Sequence, residues 1–155
     1  MFSVRALNIL YVQLVRPILE YSTVWNPYLV GHIDRLESIQ NRFIRLIGLQ
    51  LGFEYRNVPI DDLRVQFNLE PLHSRRIVHD LLFLKKLICS VIDAPDLLEL
   101  LDFRASRHLR HPQLFARRHY TTQYLFHSDF PHLRRLANNL TRHLDFFNMS
   151  CDAFN

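Results

Sequence analysis

Residues 10–47 read LYVQLVRPILEYSTVWNPYLVGHIDRLESIQNRFIRLI, and the fold turns on this stretch. Leu7, Leu10, Leu14, Ile18, Tyr21 and Trp25 recur at steps of three and four, the spacing of one face of a helix. Ser3 stands where a side-chain cap would start that helix, and the pattern carries it to Thr23 or Val24. Pro17 lies inside it, so a kink is expected there: its ring removes an N–H and crowds the carbonyl one turn back. Asn26-Pro27 stops the helix, because a residue before proline is pushed out of the α region. A second stripe follows at Ile33, Leu36, Gln40, Phe43 and Ile47, starting between Tyr28 and Asp34 and closing near Gly48, a glycine suited to a helix end. Two apolar stripes joined by a short turn predict an αα-hairpin, with Tyr21 and Trp25 in its core.

Outward from the hairpin, Gln50 to Pro59 reads as a loop, followed by a short helix over Asp61–Asn68. Asp61 and Asp62 suit the positive end of that helix. A third long helix is expected over Leu72–Val91, with Ile77, Leu81, Leu84, Ile88 and Val91 as its seam. Its polar side holds Arg75, Arg76, Asp80, Lys85 and Lys86, and Arg76 and Asp80 have the spacing of a helical ion pair. Ala94 to Leu101 predicts a short helix with Pro95 in its first turn. From Phe103 to Ser128 there is no Asp or Glu. That segment has no helical stripe and is expected to be irregular, with a short extended piece at His119–Phe126. A last helix is expected over Pro131–Phe147, turning Leu133, Leu136, Leu140, Leu144 and Phe147 inward. The fold class expected is all-α: a helical bundle opening with an αα-hairpin, then an arginine-rich irregular segment and a C-terminal helix. The change of texture divides the chain into a helical domain, 1–102, and a basic segment, 103–155.

The chain has 155 residues, 48% of them hydrophobic, enough to bury a core, and only 3 glycines, which favours helices over hairpin turns. Two cysteines, Cys89 and Cys151, make neither a disulfide framework nor a four-cysteine zinc site. No apolar run approaches the roughly 18 residues of a membrane span, and the opening MFSVRALNIL lacks the order of a signal peptide. The cytoplasm or nucleus is therefore expected, with no secretion and no membrane partner. Net charge is +4, unevenly spread: +2 over residues 1–59, −3 over 60–102 and +5 over 103–155. The basic final third can meet phosphate.

Two patterns in the opening stretch go beyond periodicity: LY-x-x-LVRPILEY-x-x-x-W-x-P from Leu10 to Pro27, and I-x-x-LE-x-x-Q-x-RF-x-R from Ile33 to Arg45. Their residue types and order resemble the region downstream of the catalytic core in reverse transcriptases of jockey-like non-LTR retrotransposons. The resemblance continues through Leu69, Pro71, Leu72, Arg75, Arg76, Asp80 and Leu81–Leu84, then Ile92, Asp93, Pro95, Leu97 and Leu98, and the closing Cys151-Asp152-x-Phe154. It implies that residues 1–102 are a thumb-like helical domain of an RNA-directed DNA polymerase, with the basic C-terminal segment packed on it or trailing it.

Such a polymerase holds two magnesium ions on paired aspartates in a Y-x-D-D turn between strands. The chain has no such turn. Asp61-Asp62 is its one adjacent aspartate pair, and the helix-capping role fits it better. No catalytic residue, cofactor or metal ligand is therefore assigned, and the chain alone is expected not to be an enzyme. His108, His111, His127 and His132 lack cysteine neighbours and a helix to present them, so zinc is not assigned. Neither a glycine-rich phosphate loop nor a nucleophile motif occurs, and no small-molecule substrate is expected. What remains is binding. Arg35, Arg42 and Arg45, then Arg75, Arg76, Lys85 and Lys86, are the candidate phosphate contacts of the helical part. Arg104, Arg107, Arg110, Arg117 and Arg118, interleaved with Phe115, Tyr120 and Tyr124, are those of the acid-free segment, where stacking can join phosphate contact. The partners implied are an RNA and DNA template–primer and the polymerase's missing palm and fingers. The alternative from another class is a helical protein-interaction module, or a remnant without function.

Overall fold

The computed structural model describes residues 2–21, 27–104 and 113–140. The first helix starts where expected, with the Ser3 hydroxyl accepting from the Ala6 N–H and opening α1 (Val4–Leu10). It then widens into a π turn over Tyr11–Val15, where the Arg16 N–H reaches back to the Tyr11 carbonyl, before α2 (Arg16–Leu19). Pro17 is the cause: its missing N–H breaks the ordinary ladder, and a single wide turn is a common repair. The helix ends at Leu19, short of Thr23, and Trp25 lies outside the described residues.

The wide turn also changes which face is buried. Tyr11 and Leu19 point inward, while Leu10, Leu14, Ile18 and Tyr21 are exposed. The expected stripe assumed an unbroken 3.6-residue period. A π turn advances each residue by a smaller angle, which brings Tyr11 and Leu19 to one side.

The chain divides into two units, one of Met1–Ser22 and Pro27–Ile77, the other of Val78–Asn155 together with Thr23–Asn26. The division falls inside a helix rather than after residue 102. In unit 1, α3 (Val30–Gln50) and α4 (Ile60–Gln66) pack with the first helix and the start of α5 (Leu72–Ile88). Tyr11, Leu19, Ile44, Val58, Leu63, Leu69 and Leu72 form the core, and the Tyr11 ring stacks on Phe43 with centroids 4.0 Å apart. Burial pushes the Tyr11 hydroxyl pKa up to about 12.

A polar knot ties this core together. Gln40 is fully buried; its Oε1 accepts from the Tyr11 hydroxyl at 3.1 Å, and its Nε2 donates to the carbonyls of Leu69 (3.4 Å) and Glu70 (2.9 Å). Glu37 Oε1 accepts from the His73 N–H at 2.9 Å, satisfying one of the orphan donors at the start of α5.

Gly48 does not end α3. It is buried within the helix because Val58 lies on it: a Cβ there would meet Val58 Cγ1 at 2.5 Å. The ending falls to Gly52, at φ +92°, with the Phe53 N–H bonded to the Gly48 carbonyl and the Gly52 N–H to that of Leu49. The same motif ends α4 at Asn68 and α5 at Ser90, both at φ 54°.

In unit 2, Leu81, Leu84 and Leu87 of α5 are buried, and so are Leu101, Phe115, Leu133 and Ala137. α6 (Pro95–Glu99) follows as expected. Phe103 and Phe115 form a single antiparallel bridge, the one strand-like pairing among the described residues. Where an extended piece was expected there is instead a short helix, α7 (Gln123–His127), because Thr122 caps it by accepting from the Leu125 N–H. α8 (Asp129–Leu140) is described only to Leu140, so the expected Leu144 and Phe147 lie outside the described residues. The fold is all-α. No described helix is long and apolar enough to cross a membrane.

Candidate nucleic-acid interface

Unit 1 sorts its expected arginines into two kinds. Arg35 and Arg42 are exposed on α3, two turns apart, and no carboxylate among the described residues pairs with either. Arg45 is half-buried, with its guanidinium 5.4 Å from the centre of the Tyr55 ring. Arg75 and Arg76 are engaged in the fold. Arg75 grips Glu20 through Nε and Nη2, and Glu20, nearly buried, is also 3.2 Å from Arg16 Nε. Arg76 is 4% exposed and donates from Nε to the Leu19 carbonyl at 3.0 Å. These two hold the end of the first helix, where bare carbonyls and a buried carboxylate need donors. Arg76 has no surface to offer phosphate.

In unit 2, Lys85 is 1% exposed and likewise inside, whereas Lys86 is exposed. Arg104 is exposed, its backbone N–H bonded to the Leu114 carbonyl. Arg107 and Arg110 lie outside the described residues. Arg117 and Arg118 stand at a cavity of about 300 Å³, with Arg134 and Arg135 of α8 lining the same space beside Tyr120, Phe126 and Asn139.

One carboxylate organises this cluster. Asp102, at φ 50°, accepts from Arg118 on one oxygen and Arg134 on the other. A left-handed aspartate is a sparsely used conformation, held here by two guanidiniums and by its own carbonyl, which accepts from the Ala116 N–H at 2.9 Å. Arg134 also donates to the Tyr120 hydroxyl, fixing that ring. Arg135 donates to the Phe126 carbonyl and lies over the Phe126 ring at 3.8 Å. Asn138 clamps Phe115 from both sides, its amide accepting from the Phe115 N–H at 3.1 Å and donating to the Phe115 carbonyl at 3.0 Å.

Four guanidiniums line the cavity, and among the described residues two of them, Arg118 and Arg134, share the Asp102 carboxylate. Burial first, with Arg134 close by, holds Arg135 below the usual arginine value, although the Tyr120 hydroxyl pulls the other way. Burial and then Arg135 and His132 push the His127 pKa down. Among the described residues, guanidiniums outnumber carboxylates at the cavity, which favours an anion entering it.

Arg134, Arg135 and Asp102 were not among the expected contacts. Arg134 and Arg135 follow the acid-free segment in the chain, and only a helix that turns them back toward residues 116–126 reveals the cluster. Among the described residues, no three of His, Cys, Asp and Glu gather as a metal site would require. His132 faces Asp80 at 3.5 Å, while His108 and His111 lie outside the described residues. A scan of protein-family models and searches of curated proteins and of solved structures each find no match to this chain.

Proposed function

We propose that this chain is the thumb-like and C-terminal part of a jockey-like non-LTR retrotransposon reverse transcriptase, and that it binds an RNA and DNA template–primer through its arginine-rich surfaces. The observation that carries the reading is the excess, among the described residues, of guanidiniums over carboxylates at the cavity of unit 2. Exposed Arg35 and Arg42 on α3 support it from unit 1, and the residue order of the opening stretch supplies the family. Lys86 and Arg104 are exposed and add to the phosphate-facing set, while Arg75 and Arg76 position the helices that present it.

On this reading the chain does no chemistry of its own. Magnesium and the paired aspartates belong to the palm of the parent polymerase, and the place of action is the cytoplasm or nucleus. Purified protein should retain a labelled primer–template weakly, lose it steeply as salt rises, and add no nucleotide in magnesium. Primer extension, or binding indifferent to salt, would sink the reading.

A second reading, a helical protein-interaction module, is favoured by one feature. Leu14 and Ile18 on the first helix and Tyr21 just past its end are 62%, 68% and 56% exposed, an apolar stripe in water. In the parent polymerase that stripe would rest on the palm. Self-association without any nucleic-acid binding would choose this second reading.

A further inference from the structure

The cavity of unit 2 has more than charge. It is concave, it is at the small end of the range of ligand sites at about 300 Å³, and it brings planar groups together with cations. Tyr120 is held by Arg134, and Arg135 lies on the face of Phe126, so two flat surfaces line the same space as two exposed arginines, Arg117 and Arg118. Arg117 meets the Gln113 amide rather than a carboxylate. Asn139, also in the lining, is exposed, and its side-chain amide can read a base edge.

We propose that this cavity is a subsite for one unstacked nucleotide of a single strand, its phosphate on Arg117 and Arg118 and its base against the Tyr120 and Arg135 planes. This rests on the nucleic-acid reading above and narrows it. A duplex keeps its bases stacked and can offer the cavity only phosphate, whereas a single strand can turn a base into it. A free nucleotide would use the interior alone. A strand also uses the exposed arginines at the rim, through neighbouring phosphates. Arg134 and Asp102 are positioning residues, because their contacts are with each other and with Tyr120 and Arg118.

The test is fluorescence anisotropy on the whole chain with a labelled oligothymidylate, a duplex of the same length, and thymidine monophosphate as competitor. The wild-type protein should prefer the single strand. Arg135→Lys keeps the charge and removes the plane, so it should weaken single-strand binding about tenfold and leave duplex binding nearly unchanged. Arg117→Gln, at an exposed site that leaves the fold alone, should weaken both ligands, the single strand more. Far-ultraviolet circular dichroism confirms that each variant keeps its helices.

Binding with equal loss for both ligands, or no loss, in Arg135→Lys would overturn the subsite and leave the general reading standing. Should the Lys variant lose its helices, the Arg117→Gln ratio decides alone, and an equal effect on both ligands overturns the subsite. Failure of the wild type to bind either ligand overturns both readings. Competition by the monophosphate at the strand's own concentration makes this a free-nucleotide site and overturns the strand assignment.

Discussion

In unit 1 the guanidiniums of Arg64, Arg75 and Arg76 reach the Asn41 amide oxygen, the Glu20 carboxylate and the Leu19 carbonyl. In unit 2, Arg117, Arg118, Arg134 and Arg135 gather round one cavity, and among the described residues a single carboxylate, Asp102, answers two of them. The residue type is the same in both places. The difference is the supply of acceptors within reach. Where a helix end or a buried carboxylate waits, an arginine becomes part of the frame; where cations outnumber acceptors, the surplus is left for an outside anion. Counting arginines along a sequence does not separate the two cases.

The contrast is easiest to break at Gln40. Gln40→Leu strands the Tyr11 hydroxyl and the Leu69 and Glu70 carbonyls, and should lower stability in urea denaturation by about 3 kcal/mol or more. A loss below about 1 kcal/mol would mean that polar contacts do not hold unit 1 together. Gly48→Ala sharpens the same point from the apolar side. Its Cβ would stand 2.5 Å from Val58 Cγ1, so about 1–3 kcal/mol should be lost, and Val58→Ala in the same chain should return part of it. The smallest stability effect is expected of Arg35→Gln with Arg42→Gln, within about 0.5 kcal/mol. The same pair should reduce the salt slope of template–primer binding by about one to two. An unchanged slope would remove Arg35 and Arg42 from the phosphate contacts.

Much of the fold was legible. α3, α5 and the start of α8 were visible because their stripes run unbroken, and Ser3 and Asp61-Asp62 stand where helix starts need them. The first helix was legible in place but not in phase. Pro17 announced a disturbance, yet a kink and a wide turn turn different residues inward, and only the wide turn buries Tyr11. Helix ends were misplaced for a related reason. Gly48 looked like the stop for α3, but its hydrogen side chain serves Val58, and the left-handed residue is Gly52. At Ser90 no glycine marked the stop at all.

The candidate site was half legible. An acid-free run of arginines and aromatics was evident, but Asp102 precedes it and Arg134 and Arg135 follow it. Their meeting is made by the Phe103–Phe115 bridge and the Asn138 clamp, which periodicity does not encode. Arg76 and Lys85 misled because a polar helix face and a charged residue sealed in the interior have the same one-letter pattern.

The grip of Arg75 on Glu20 spans 55 residues of sequence, and that separation sets an order of events during synthesis. The first helix emerges from the ribosome with Glu20 answered by Arg16 alone and the Leu19 carbonyl still without Arg76. At roughly 5–20 residues per second, Arg75 follows about 3–11 s later. For that interval the first helix lacks its second ion pair and its helix-end donor. The end of the first helix is therefore completed late, and slower translation through residues 21–75 lengthens that window.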